Sequence, residues 1–209
     1  MERSADQRGD TPVGAHADFA DLYVQTRMIL LDLGEQWGEG LLSARSFTEA
    51  MDEVLLAAHT RAVVIGRTHG GDDAPEDDDD RRFAEIVVQG EHGHLAPFRQ
   101  QLEAGVYTGA DGVRQGGRAA RRAASYSSRL VGTANEAFFL TLPQDTLLWW
   151  ECLEDEASCP DCPEMEAASP WLISEIPFHV GMNATQCLVN CRCRERTESG
   201  LEGFHLPAP

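Results

Sequence analysis

Lysine is absent from this chain: all 17 basic residues are arginine. Against them stand 35 acidic residues, for a formal net charge of −18 and an isoelectric point near 4.6. A surface of that sign repels phosphate backbones and anionic headgroups, so free nucleic acid and anionic membranes are poor general partners. Long apolar runs are missing too, and none reaches the roughly 20 residues that a membrane-spanning helix requires. The opening residues Met1 to Asp10 lack the charged-then-apolar pattern of a secretion signal. The expectation is a chain made and kept in a reducing cytoplasm, which favours metal over disulfide for its cysteines. Cysteine itself is missing from 167 of the 209 positions, because all six lie between Cys152 and Cys193.

Hydrophobic residues make up 42% of the chain, enough for a real core. Residues 1–16 are polar and read as a disordered lead-in. From Asp18 to Leu33, the positions Phe19, Leu22, Tyr23, Thr26, Ile29, Leu30 and Leu33 recur at helical spacing, and Gly34, Gly38 and Gly40 are expected to break that helix. A second helix is expected from Ser43 or Ser46, with Phe47, Met51, Val54, Leu55, Ala58, Ala62 and Ile65 inward and Gly66 as its end. Then come seven acids in the nine residues from Asp72 to Asp80, whose mutual repulsion favours an extended loop. A calcium loop would need fixed spacing with carbonyls between the carboxylates, which a plain run does not specify.

His92 and His94 flank a glycine and read as loop histidines, while Leu95, Phe98 and Leu102 suggest a short helix. A longer helix is expected from about Val113 to Leu140, interrupted at Gly132, with Tyr126, Leu130, Ala134 and Phe138 on one side. Arg114, Arg118, Arg121, Arg122 and Arg129 gather toward its first half as the one basic patch. They suit a phosphate or an acidic partner, or else a solvated face paired with nearby acids. Pro143 stops the helix, and Leu147 to Leu153 reads as a strand with Leu148, Trp150 and Cys152 on one face. The fold class expected is α+β. A helical body over 17–145 carries the acidic loop at 70–80, a Cys-rich β/loop subdomain spans 146–196, and 197–209 form an irregular tail.

The chemistry concentrates in the Cys-rich stretch. Cys159 and Cys162 are separated by two residues, then 24 residues lead to Cys187, Cys191 and Cys193. Two cysteines at that spacing turn their sulfurs toward one point, and a later cluster can complete a tetrahedron around zinc. Such a site contributes on the order of 10 kcal/mol or more to the folding of a small segment. The candidate ligands are therefore Cys159, Cys162, Cys187, Cys191 and Cys193, holding one structural zinc. Cys187 with either Cys191 or Cys193, or the latter two together, can make the second pair. Cys152 in its strand reads as a buried apolar thiol, and His179 as a packing residue. Disulfides are the alternative. A catalytic zinc would need an open position and an acid or base beside it, and neither is evident.

The order Trp149-Trp150, Cys159-Pro-Asp-Cys162, Ser169-Pro170-Trp171, Ile176-Pro177-Phe178-His179 and Thr185-Gln-Cys187-Leu-Val-Asn190-Cys191-Arg-Cys193 resembles the C-terminal part of the Mu F-like minor head proteins of tailed viruses. The resemblance covers about residues 40–196, with its specific motifs in 149–193. Many members of that family have His-Pro-Asn-Cys-Arg-Cys. Here Leu188 stands at the His position and Cys187 one residue before it, so the resemblance implies that Cys187 replaces that His. It also implies a virion component in the capsid interior or portal region, needed in head morphogenesis and docked on portal or major capsid protein. Local contact with packaged DNA would run through Arg114, Arg118, Arg121 and Arg122. No enzyme and no membrane attachment are implied. Two rival readings remain. A zinc-held His-Asn-His nuclease would use His179 with Asn183 or Asn190. A zinc-ribbon DNA-binding adaptor would use Arg192, Arg194 and Arg196 against the surrounding acids.

Overall fold

The computed structural model describes residues 13–152, 159–182, 191 and 193–206. Among the described residues six α-helices and three short strands make an α+β protein that is mostly helical. Helices α1 (Val13–Gly38) and α2 (Ala44–His69) have 26 residues each, about 39 Å at 1.5 Å per residue. They form a spine with a separate packed core near each end.

At one end lie Leu30 and Trp37 of α1, with Phe47, Met51 and Leu55 of α2. Helix α3 (Asp78–Glu103) adds Val88, Leu95, Phe98 and Leu102, and α4 (Gly116–Ala124) adds Ala119 and Ala123. At the other end Phe19, Ala58, Ala62 and Ile65 meet Leu130, Ala134, Phe138 and Phe139 of α5 (Leu130–Leu140). Strand β1 (Leu147–Glu151) lies between β2 (Trp171–Leu172) and β3 (Arg194–Thr197), antiparallel to both. Its side chains Leu148 and Trp150 are buried, as the alternation predicts, while Leu147, Trp149 and Glu151 are half-buried. The short helix α6 (Asp161–Ala167) covers the sheet with Cys162 and Met165 inward. The cysteine segment is thus continuous with the core under α1, α2 and α5.

Several expected breaks are absent. Helix α1 starts upstream of Asp18 and runs on through Gly34, and α2 runs through Gly66. These glycines are crossing points: Gly38 faces Gly116, where a Cβ would lie 2.5 Å from Cα, and a Cβ on Gly66 would lie 2.9 Å from that of Ala137. Ile29, expected inward, is exposed. The acidic run ends earlier than its charge suggests. Asp77 caps α3, its carboxylate accepting from the backbone of Asp79 and Asp80, and Asp80 reaches back to the Asp77 amide. Three carboxylates in a first turn complement the helix dipole. Asp80 is buried against Arg67 at 2.6 Å. Consequently His92 and His94 sit on α3 rather than in a loop, and His92 pairs with Asp52 of α2 at 2.8 Å.

The helix expected over 113–140 is divided before Gly132. Residues Ser125–Arg129 tighten into a 3-10 turn, where the Ser125 and Ser127 hydroxyls donate to the carbonyls of Arg122 and Ala124. Gly132 instead lets the chain at Gly181 approach, with a would-be Cβ 2.7 Å from its carbonyl oxygen. Residues 198–206 form no strand, yet they are fastened. Asn135 on α5 donates to the carbonyls of Val180 and Phe204 and accepts from the Phe204 amide.

Candidate metal centre

Strands β1 and β3 pair Glu151 with Arg194, so the residues just beyond that register, Cys152 and Cys193, come side by side with sulfurs 3.6 Å apart. Helix α6 carries Cys162 in its first turn, and Cys159 just precedes it, with sulfurs 3.2 Å apart. Cys162 and Cys191 are 3.8 Å apart although 29 residues separate them in sequence. The Sγ atoms of Cys162, Cys191 and Cys193 all lie within 4.8 Å of one another, and all three residues are buried.

Three buried cysteines are therefore close enough to bind one metal ion. A tetrahedral ion with metal–sulfur bonds of about 2.3 Å has sulfur–sulfur edges of about 3.8 Å. The 3.8 Å separation of Cys162 and Cys191 matches that figure, while Cys159 lies closer to Cys162, at 3.2 Å, and outside the gathered three. Cys159 is the nearest fourth donor on the α6 side, and Cys152, expected as a packing thiol, packs against the core and also stands beside Cys193. Cys187, the fifth expected ligand, lies outside the described residues, as do Asn183, Leu188, Asn190 and Arg192.

Cys193 is pulled well below the usual thiol range, chiefly by a hydrogen bond from the Cys191 thiol, which is correspondingly pushed up. Burial pushes Cys152 up, and proximity to Cys193 and Glu166 adds to it. Trp150 acts the other way. Its buried indole Nε1–H makes no hydrogen bond among the described residues, and its nearness favours the thiolates of Cys152 and Cys193. Donors of this kind orient and stabilise sulfur ligands. The Trp149-Trp150 pair is visible in the sequence, but the role of its second member follows only from the strand register. Around the site, Ser169 accepts from the Trp150 amide at 2.8 Å and Glu166 from the Cys152 amide at 3.2 Å.

His179 is not in this group. Its ring stacks on Phe139 at 4.5 Å, and Nδ1 meets Glu195 at 2.9 Å, while the other Glu195 oxygen accepts from the Val180 amide. The arginines expected to form a patch are largely engaged with aromatic rings. Arg114 lies over Trp37, Arg118 over Tyr107 and Arg122 over Tyr126, at 5.1–5.5 Å. Arg114 also donates to the carbonyls of Trp37 and Leu42, and Arg129 pairs with buried Glu91. All but the half-buried Arg129 are exposed. Among the described residues no helix is long and apolar enough to cross a membrane.

Comparison with known proteins adds no relative. No family model matches the chain, and neither a curated protein nor a solved structure does.

Proposed function

We propose that this chain is a structural protein whose buried thiol cluster takes one zinc ion, and that it serves as a minor head component of a tailed virus. The observation that carries the first half is the convergence of Cys162, Cys191 and Cys193, with Cys159 3.2 Å from Cys162 as the fourth donor. Four thiolates favour zinc over the hard cations magnesium and calcium, and a closed tetrahedron leaves no position for substrate. When bound, zinc would tie α6 and the start of β3 into the core shared with the helices. The order of Trp, Cys-x-x-Cys and Asn-Cys-Arg-Cys motifs supports the viral reading, as does an acidic surface that would not adhere to packaged DNA. In this reading the helical body docks on portal or major capsid protein inside the virion. The exposed guanidinium edges of Arg118, Arg121 and Arg122 supply local contact with DNA.

Elemental analysis of the purified chain, with thiol counting before and after a chelator, tests the metal. About one zinc per chain is expected, and metal-free protein lacking titratable thiols favours disulfides instead. Purified particles should contain the chain at a small, fixed copy number. Recovery from lysate but never from particles rejects the viral reading and leaves the metal centre standing. The DNA-binding adaptor is favoured instead if the pure chain binds DNA with strong salt dependence.

A further inference from the structure

We propose that His16, His69 and His205 form a second metal site, of imidazole type, for a divalent transition-metal ion. It lies where the first turns of α1, the last residue of α2 and the chain after β3 meet. The ring of His16 stands 4.8 Å from that of His69 and 6.2 Å from that of His205, centre to centre.

The hydrogen bonding of His69 carries the assignment. Its Nε2 is 2.7 Å from the carbonyl oxygen of Glu202, and a carbonyl oxygen only accepts, so Nε2 holds the proton. Nδ1 therefore presents a lone pair. It is buried, and no described residue bonds to it. His69 as a whole is 2% exposed, so bulk water does not serve it either. Nδ1 of His205 is likewise buried without a partner among the described residues. A single orphaned polar atom costs about 1–3 kcal/mol, and two on rings that both neighbour His16 need a reason. An imidazole whose far nitrogen donates to a backbone carbonyl is the usual arrangement of a metal-bound histidine.

The surroundings fit. His16 and His205 line an open cleft of about 170 Å³ together with Phe19, Ala20 and Glu202, which gives an ion a way in and a carboxylate as a further donor. Two imidazoles on one tetrahedral ion have ring centres roughly 5 Å apart, given metal–nitrogen bonds of about 2.0–2.1 Å. The His16–His69 spacing is already close to that. His205 must turn inward, because among the described residues only the thiol group has all its ligand atoms gathered. Imidazole nitrogen with one carboxylate selects zinc, cobalt, nickel or copper over magnesium and calcium. Such an ion would pin the chain end to both spine helices.

The test uses the full chain loaded with excess Zn2+ or Co2+, then dialysed and analysed for metal. Wild-type protein should retain about one ion per chain more than a His16→Gln/His205→Gln variant. In the cobalt form, the thiolate-to-metal absorption should be the same in both. Equal metal content in the two overturns the second site while leaving the cysteine centre intact. Loss of the thiolate band in Cys162→Ser, with the extra ion retained, separates failure of one site from failure of the other. Should the histidine variant not fold, paramagnetic broadening of the histidine ring signals decides on wild-type protein. Cobalt must broaden His16, His69 and His205 together, and broadening confined to groups beside the cysteines rejects the proposal.

Discussion

Ala120 occupies the space that a side chain at Gly34 would need: a Cβ there would lie 2.6 Å from the Ala120 backbone nitrogen and 2.7 Å from its Cβ. The crossing of α1 over α4 depends on that missing atom.

Gly34→Ala therefore separates two effects of opposite sign. Helix propensity alone predicts stabilisation by roughly 0.5–1 kcal/mol, since Gly34 lies inside a helix. The crossing predicts a net loss, because overpacking a tight contact costs about 1–3 kcal/mol. We expect the loss, read as a lower midpoint in urea. A higher midpoint would mean that α4 can withdraw without cost.

Metal removal should matter more than any single helix contact. Chelation is expected to lower the melting temperature and to loosen the sheet first, seen as faster hydrogen exchange in residues 147–151 and 194–197. Cys162→Ser should abolish tight metal binding, since Cys162 touches both Cys159 and Cys191. Cys152→Ser should retain it, because only Cys193 neighbours Cys152 among the described thiols. Equal loss in both variants would place Cys152 among the ligands.

The helical stripes were legible in the sequence because they depend on one element at a time. Phe47, Met51, Leu55, Ala58, Ala62 and Ile65 are spaced for one face of α2, and all are buried. The alternation of β1 was legible for the same reason. Gly34 and Gly66 were not, since the propensity that makes glycine a helix breaker also makes it the residue of closest approach, and only the partner helix decides between them. The acidic run was legible as a loop, but not the point at which it ends. Its repulsion is evident in the string of letters, but the capping by Asp77 and the Arg67–Asp80 pair are relations in space. That cysteines would gather was readable from their spacing. The convergence of Cys193 with Cys162 and Cys191 depends on the pairing of β3 with β1 across more than 40 residues, for which four residues of strand gave no periodic signal.

Stability should fall on mild acidification. His59 is buried, with Nδ1 bonded to the Thr133 hydroxyl at 2.7 Å, and burial together with the Arg129 charge lowers its pKa to about 4. An unfolded histidine protonates near 6.5. Below that pH the unfolded chain binds a proton that the folded chain refuses, so stability is full above about 6.5 and declines as pH falls toward 4. The decline from this residue is about 3 kcal/mol. His16, His69 and His205 shift in the same direction. His59→Gln should flatten the dependence measured by urea unfolding between pH 7 and 4, and an unchanged slope would assign the acid sensitivity elsewhere.

Asn135 is expected to hold the chain end in place. With 0% exposure, it satisfies Val180, Phe204 and the Phe204 amide at once. Asn135→Ala leaves three buried backbone groups unpaired at about 1–3 kcal/mol each, less whatever water recovers. Limited proteolysis should then cut after residue 197 well before the helices open. Simultaneous digestion of both regions would show that the tail and the helical core unfold as one unit.

Trp150→Phe isolates one hydrogen at the metal centre. Phenylalanine keeps most of the buried apolar surface and removes the indole N–H that favours the thiolates of Cys152 and Cys193. Outer-shell donors of this kind typically change metal affinity 10–100-fold. Competition against a chromophoric chelator should show a loss within that range, with the metal-free protein destabilised far less than by Trp150→Ala. Because the sulfurs would need to stay protonated longer, proton release on metal binding should also shift to higher pH. If affinity is unchanged while thiol reactivity is unchanged too, the indole serves the core by volume alone, and the charge on the sulfurs must be carried by the ion and the backbone.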